Sequence, residues 1–358
     1  MELKHHFQQQ WPINQLFILL STILVTLVIF RYAAALLVPF LIALAIAIVL
    51  SPLFRYLEAR HIPRPISLIL VAAFPLALLI FLGAYVSEEI SELVANAQSM
   101  KAQFDASMAG ISQRMAKIGI SFTPEQISNI LTHINVSSLI QRLAAHAGNQ
   151  FSNLFLIFFI AAFILMETDC FFAKLQKVMA DWGQNMDEIM EFLARIKSYF
   201  LLKVKTSLIT GLWVALVLWY LDISYAVLWA TLAFFLNFIP VIGSILAAIP
   251  PILVASLEQS WVTAVWVTAW YLVINTVIGN ILEPKIMGKG LGLSALVIFL
   301  SMTFWGWMFG PAGMILSAPL TMGMQFLFSR YEETLWIAFI LSDCKPKADA
   351  KKASAASG

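Results

Sequence analysis

Two apolar stretches near the C-terminal end, Ser224–Leu257 and Leu291–Phe328, each exceed the length of one membrane crossing, about 20 residues, and both are interrupted in the same manner. In the first, Pro240, Gly243, Ile245, Leu246, Ala248 and Pro250 follow the order P, G, I, L, A, P. In the second, Pro311, Gly313, Ile315, Leu316, Ala318 and Pro319 repeat it. A proline inside a helix removes one backbone donor and frees a carbonyl. At membrane depth such a break persists only where protein or a water-filled cavity covers it. Paired, interrupted segments of this kind point to a transporter binding site, and equally suit a tight turn between two helices. Both readings are open at Pro240–Gly243, and a turn is favoured at Gly310-Pro311.

The remaining sequence fits only a membrane setting. Hydrophobic residues make up 61% and charged residues 12%, against about a quarter charged in soluble domains. This composition predicts an all-α, polytopic bundle with the lipid bilayer as its solvent. A net charge of +2, spread along the chain, gives no nucleic-acid patch. Cys170 and Cys344 lie far apart without CxxC or His/Cys spacing, so neither a disulfide framework nor a zinc site is expected. His133 and His146 lack a second ligand at helical spacing and read as surface or packing residues. No phosphate-loop, dinucleotide, metalloprotease or nucleophile-elbow motif is present, which gives no support for ATP-driven pumping or for an enzyme, and no cofactor is called for.

Along the chain the expected organisation has six parts. Residues 1–86 hold three membrane helices over Leu16–Phe30, Ala33–Leu50 with a kink at Pro39, and Ile66–Val86. The N-terminus lacks a signal-peptide cleavage site, so the first run is read as a mature span. Residues 87–150 turn polar. There Ile90, Val94, Ala97, Phe104, Met108, Ile111, Met115 and Ile118 step by three and four, the pattern of a helix with a packing partner. Gly119 is expected to end it, and Thr123–Gln126 to cap the next helix. Residues 151–166 form a fourth span. Residues 167–205 form a cytoplasmic region whose Ile189, Phe192, Leu193, Ile196 and Phe200 make an apolar stripe, with a Glu191–Arg195 pair on the other face. Residues 206–330 are a C-terminal membrane bundle holding both interrupted stretches, and 331–358 a cytoplasmic tail.

If both interrupted stretches return to the side they entered, only Arg31, Lys101, Arg114, Lys117 and Arg142 of the 22 lysines and arginines fall outside, and the rest lie in the cytoplasm with both termini.

The run Asn275–Gly292, NTVIGNILEPKIMGKGLG, ends its apolar part in Asn280, Glu283 and Pro284. An ionisable residue followed by a helix-breaking proline in such a run is a functional-site candidate by default. The alternative is that Glu283 sits at the membrane interface and is balanced by Lys285 and Lys289.

Three runs carry a resemblance. NFIPVIGSILAAIPP (237–251), GNILEPKIMGKGLGLS (279–294) and FWGWMFGPAGMILSAPL (304–320) are similar to the signatures of the autoinducer-2 exporter family, and VPFLIALAIAIVLSPL (38–53) supports the same assignment. The resemblance implies about eight membrane helices, a homo-oligomer in the bacterial inner membrane, and export of autoinducer-2 or a similar small polar molecule. It raises Asn237, Pro240, Gly243, Glu283, Pro284 and Gly288 as binding positions. Asn237, Asn275 and Asn280 suit hydroxyl groups, because an amide both donates and accepts. Glu283 is the candidate proton- or cation-responsive group. Related members resemble Na⁺(Li⁺)/H⁺ antiporters, which keeps a cation/proton antiporter as the alternative. A non-transporting scaffold that binds a partner through residues 87–150 is the third reading.

Overall fold

A computed structural model describes residues 13–116, 136–181, 186–240, 242–283 and 292–343. The fold is all-α, and among the described residues the only strand-like pairing is a single bridge between Leu293 and Ser342. Among the described residues ten α-helices follow one another: α1 Ile13–Tyr32, α2 Ala34–Ala59, α3 Arg64–Ala116, α4 Val136–Asp181, α5 Asp187–Tyr220, α6 Ala226–Leu236, α7 Ile242–Glu258, α8 Trp261–Asn275, α9 Ala295–Phe328 and α10 Leu335–Leu341. A π-helical turn, Thr276–Leu282, extends α8. Among the described residues six helices are long and apolar enough to cross a membrane, and shorter apolar helices accompany them. Together they make a multi-pass membrane bundle. Large apolar side chains such as Phe17, Phe74, Leu212 and Trp219 stand exposed on its outside, where lipid replaces water as the solvent.

Several helices are longer than their apolar runs. α3 continues unbroken from Arg64 to Ala116, and α4 from Val136 to Asp181. Gly119, Thr123–Gln126 and His133 lie outside the described residues, as do the side chains of 97–153. Of the predicted seam of α3, Ile90 packs with its neighbours Leu93 and Val86, which the seam does not include, against α5–α8, and the side chain of Val94 lies outside the described residues.

Small residues let the helices approach. Ala43 and Ala47 on α2 and Ala161 on α4, all nearly inaccessible, form a close seam with Val71 of α3, the small-xxx-small device of membrane helices. A second core joins α5 to α9 and α2 through Tyr199, Phe200, Leu316 and Ala318, with Ile196 alongside. The amphipathic stripe on α5 therefore lies against the bundle, and its Phe192 stacks on Phe326 of α9 at 4.4 Å. One uninterrupted helix thus runs from the expected cytoplasmic region into the expected C-terminal membrane bundle.

Both interrupted stretches are helical hairpins. α6 has 11 residues, about 17 Å at 1.5 Å per residue, too short to cross. The chain turns at Asn237–Pro240 and comes back as α7. The base is closed by Gln259, whose side-chain amide donates to the carbonyls of Leu221 (3.0 Å) and Asp222 (2.7 Å). Glu89 of α3 accepts from the Leu228 amide at 2.9 Å, placing a carboxylate on the positive N-terminal end of α6. In α9 the break is Gly310, at φ 66° and ψ −151°, inside an otherwise helical run. Here the base is closed by Gln325, whose amide donates to the Gly292 carbonyl at 3.1 Å. The first base lies beside Leu221 at the C-terminal end of α5. The second lies beside Glu188–Arg195 near its N-terminal end. The two hairpins therefore enter the bundle from opposite ends of α5.

Candidate functional site

On α5, Lys203, Thr206, Ser207 and Thr210 fall at i, i+3, i+4 and i+7, a single helix face. All four are buried. Polar groups withdrawn from water in this way require partners, and the hairpin tip and the end of the π-helical turn supply them. Lys203 Nζ donates to Glu283 Oε1 at 2.7 Å and to the Asn237 carbonyl at 3.3 Å. Thr206 Oγ1 donates to the same Glu283 oxygen at 3.1 Å. Asn237 Nδ2 donates to Ser207 Oγ at 3.1 Å. Three elements that are distant in sequence thus meet in one polar knot.

Local sequence explains each placement. Helix α6 stops at Leu236, and Pro240 has no N–H with which to continue it. The Asn237 carbonyl, which a continuing helix would have used, is left for Lys203. Gly243 follows the turn so closely that a Cβ there would stand 1.8 Å from the Leu236 carbonyl oxygen, so no other residue fits. Glu283 follows the π-helical turn directly. Such turns displace the helix register and are common at functional sites.

Burial sets this ion pair apart. Its side chains are 8% and 17% exposed, whereas those of Glu191 and Arg195, paired at 2.6 Å on the same helix, are 66% and 63% exposed. In a dry site the attraction only offsets the cost of taking both charges out of water. Removal of one partner leaves an uncompensated charge, destabilising by about 3–5 kcal/mol. Lys203 lies at one edge of the apolar part of α5, since Thr206–Leu221 carries no charged residue.

Among the described residues the partner of Glu283 is Lys203, which the sequence places in the cytoplasmic region; Lys285 and Lys289, which the interface alternative sets beside Glu283, lie outside the described residues. Of the other candidates, Asn237, Pro240 and Gly243 form the hairpin tip beside the pair. Asn275 is exposed and lines a small cavity together with Asn237. Asn280 belongs to the π-helical turn, with its side chain outside the description, and Pro284 and Gly288 also lie outside the described residues. Glu258 is half-buried at the hairpin base, accepting from the Ser224 amide. Lys203, Thr206, Ser207 and Thr210 escaped the sequence reading. Their signal was a polar stripe at helical spacing, which a boundary drawn after Lys205 had cut in two. Among the described residues no cluster of three His, Cys, Asp or Glu side chains could hold a metal ion.

The comparisons with known proteins agree with this architecture. A family model described as AI-2E family transporter matches residues 17–333. The chain is 36% identical over 326 residues to the AI-2 transport protein TqsA of Escherichia coli, covering 91% of this chain and 95% of that protein. It is 32% identical to a putative transport protein of Haemophilus influenzae, covering 90% and 95%. With the putative transport protein YhhT of Escherichia coli it shares 29% identity, covering 92% and 94%. A match along nearly the whole chain, and not only at the signature runs, makes this protein a member of the AI-2E family of transporters.

Proposed function

We propose that this chain is a secondary transporter that exports a small polar signal metabolite, autoinducer-2 in the first instance, across the bacterial inner membrane, with both termini in the cytoplasm. The observation that carries the reading is the buried Lys203–Glu283 pair tied to the Asn237 carbonyl at the tip of a hairpin. A pair held there is sensitive to the charge on either member, because attraction offsets the cost of burial only while both charges are present. Intact, it fastens the α6–α7 tip to α5 and α8. A proton on Glu283 removes the carboxylate charge, leaves the Lys203 ammonium uncompensated in a buried site, and loosens the tip. Movement of a hairpin that enters from one end would then expose the neighbouring polar groups to one side or the other, the motion that alternating access requires.

Two observations support this over the alternatives. A bare monovalent cation at Glu283 would have to displace Lys203, which already neutralises the carboxylate at 2.7 Å. A scaffold gains nothing from a charged pair in the wall of an apolar bundle. The test is uptake of labelled autoinducer-2 into everted membrane vesicles, with and without an imposed pH gradient. Uptake above that of empty vesicles is expected, together with loss of its pH dependence in Glu283→Gln. Absence of uptake by the wild type under both conditions overturns the cargo reading.

A further inference from the structure

Beside the polar knot, on the side away from the ion pair, lies a cavity of about 10 Å³. A water-sized group needs roughly that space. Its polar lining consists of Thr210, Asn237, Ser244, Tyr271 and Asn275, all uncharged, set among Ala247, Ile274 and Ile278. Tyr271 is 7% exposed, and its hydroxyl has no hydrogen-bond partner among the described residues. A buried phenol is normally satisfied, because an unpaired donor loses its water and gains nothing in return. Tyr199 also has an unpaired hydroxyl, but it packs among Phe200, Leu316 and Ala318 away from this cavity. Tyr271 lines a space in which a partner fits.

The other groups narrow what that partner is. Thr210 has already given its proton to the Thr206 carbonyl at 2.9 Å, so toward the cavity its oxygen can only accept. Asn237 has one amide hydrogen on Ser207, with the second hydrogen and the carbonyl oxygen unassigned. Such a ring asks for a group that donates and accepts at once, and it offers no opposite charge to an ion, which would be costly to bury there. Asn275 is exposed at the flank, so the cavity is open on that side. We infer that this cavity is a subsite for one hydroxyl of an uncharged, polyhydroxylated ligand, with the rest of the molecule lying along Asn275, and that Tyr271 is its donor. The inference rests on the transporter reading for its biological meaning, but not for its chemistry.

The test uses the purified full chain in lauryldimethylamine oxide, a detergent without hydroxyls. Thermal shift and equilibrium binding are measured with autoinducer-2 and D-ribose as neutral probes, and with ribose 5-phosphate and glucosamine as charged ones. At least one neutral probe is expected to bind, and Tyr271→Phe should weaken it about five- to tenfold, the loss of one hydrogen bond. Unliganded Tyr271→Phe should melt no lower than the wild type, since the oxygen removed has no partner. Ribose binding with this dependence, without autoinducer-2 binding, keeps the subsite and removes the cargo reading. Equal binding of autoinducer-2 by both proteins keeps the cargo reading and overturns the subsite. Binding of charged probes alone, binding of no neutral probe, or a lowered melting temperature in the unliganded variant also overturns it.

Discussion

The two hairpins have the same shape and different chemistry. At each tip a glycine lets the returning helix lie against the last carbonyls of the outgoing one. A Cβ at Gly243 would stand 1.8 Å from the Leu236 carbonyl oxygen, and one at Gly313 would stand 1.9 Å from that of Trp305. Each base is closed by a glutamine amide. Yet the α6–α7 tip presents Asn237 to a buried ion pair, while the α9 tip is Phe309-Gly310-Pro311, with no polar side chain. Even the shared letters face differently. Ile245 and Leu246 are exposed, but at the corresponding steps from the second glycine Ile315 is half-buried and Leu316 buried. The repeated order of Pro, Gly, Ile, Leu, Ala and Pro therefore specifies a turn, and the chemistry comes from the residues that differ.

The most severe test of that equivalence is at the glycines. Gly243→Ala and Gly313→Ala each force a methyl into a backbone carbonyl, which no side-chain rotation relieves, so each is expected to lose more than about 4 kcal/mol and to fail assembly. Gly279→Ala, whose Cβ would meet Asn275 Oδ1 at an ordinary 3.4 Å, is the control. Size-exclusion profiles of fluorescent-protein fusions read the outcome. Normal assembly of either glycine variant would show that the two tips are not equivalent.

The ion pair comes next. Lys203→Met alone is expected to cost about 3–5 kcal/mol, and Lys203→Met with Glu283→Met to recover most of it, because burial of neither charge is cheaper than burial of one. Transport should be absent in both. On the other hairpin, Trp305 Nε1 donates to Thr321 Oγ1 at 3.0 Å, and Thr321→Val should cost about 1–2 kcal/mol with transport retained. Melting of purified variants, paired with vesicle uptake, measures both. A double variant that still transports would make the pair a structural clasp only.

Much of this division was legible in the residues. Apolar runs gave the all-α membrane bundle, and the Gly/Pro pattern gave both breaks within a few residues of Asn237–Pro240 and Gly310. Glu283 stood out because charge in an apolar run is rare. Its partner did not stand out. Lys203 lies 80 positions away, and lysine near a span end normally reaches for water, so nothing local distinguished a buried Lys203 from an exposed Lys205. Only the stripe Lys203, Thr206, Ser207, Thr210 carried that information. Helix lengths were also hidden, because the polar continuations of α3, α4 and α5 keep helical propensity beyond the apolar layer and show no stop signal.

A smaller effect is expected at the first tip itself. Asn237→Leu removes the bond to Ser207 and keeps the backbone carbonyl that Lys203 uses, so stability should fall by about 1 kcal/mol. Uptake should nevertheless fall well below half. Pro311→Ala at the other tip alters no polar contact, and uptake should persist. Equal uptake by Asn237→Leu and Pro311→Ala would assign both tips the same, purely structural, part.

The smallest effect should come from the pair beside the base of the second hairpin. Glu191 and Arg195 meet at 2.6 Å, closer than Lys203 and Glu283, and line the groove with Gly292 and Gln325. By distance alone it would be the stronger interaction. Both side chains are mostly exposed, however, so water and salt screen the charges and solvate whichever one is left. Arg195→Gln is therefore expected to leave the melting temperature within experimental error and uptake within twofold of the wild type at both low and high salt. A loss of uptake comparable to that of Lys203→Met would mean that burial does not separate the two hairpins, and that the base of the second contributes to transport through its own charges.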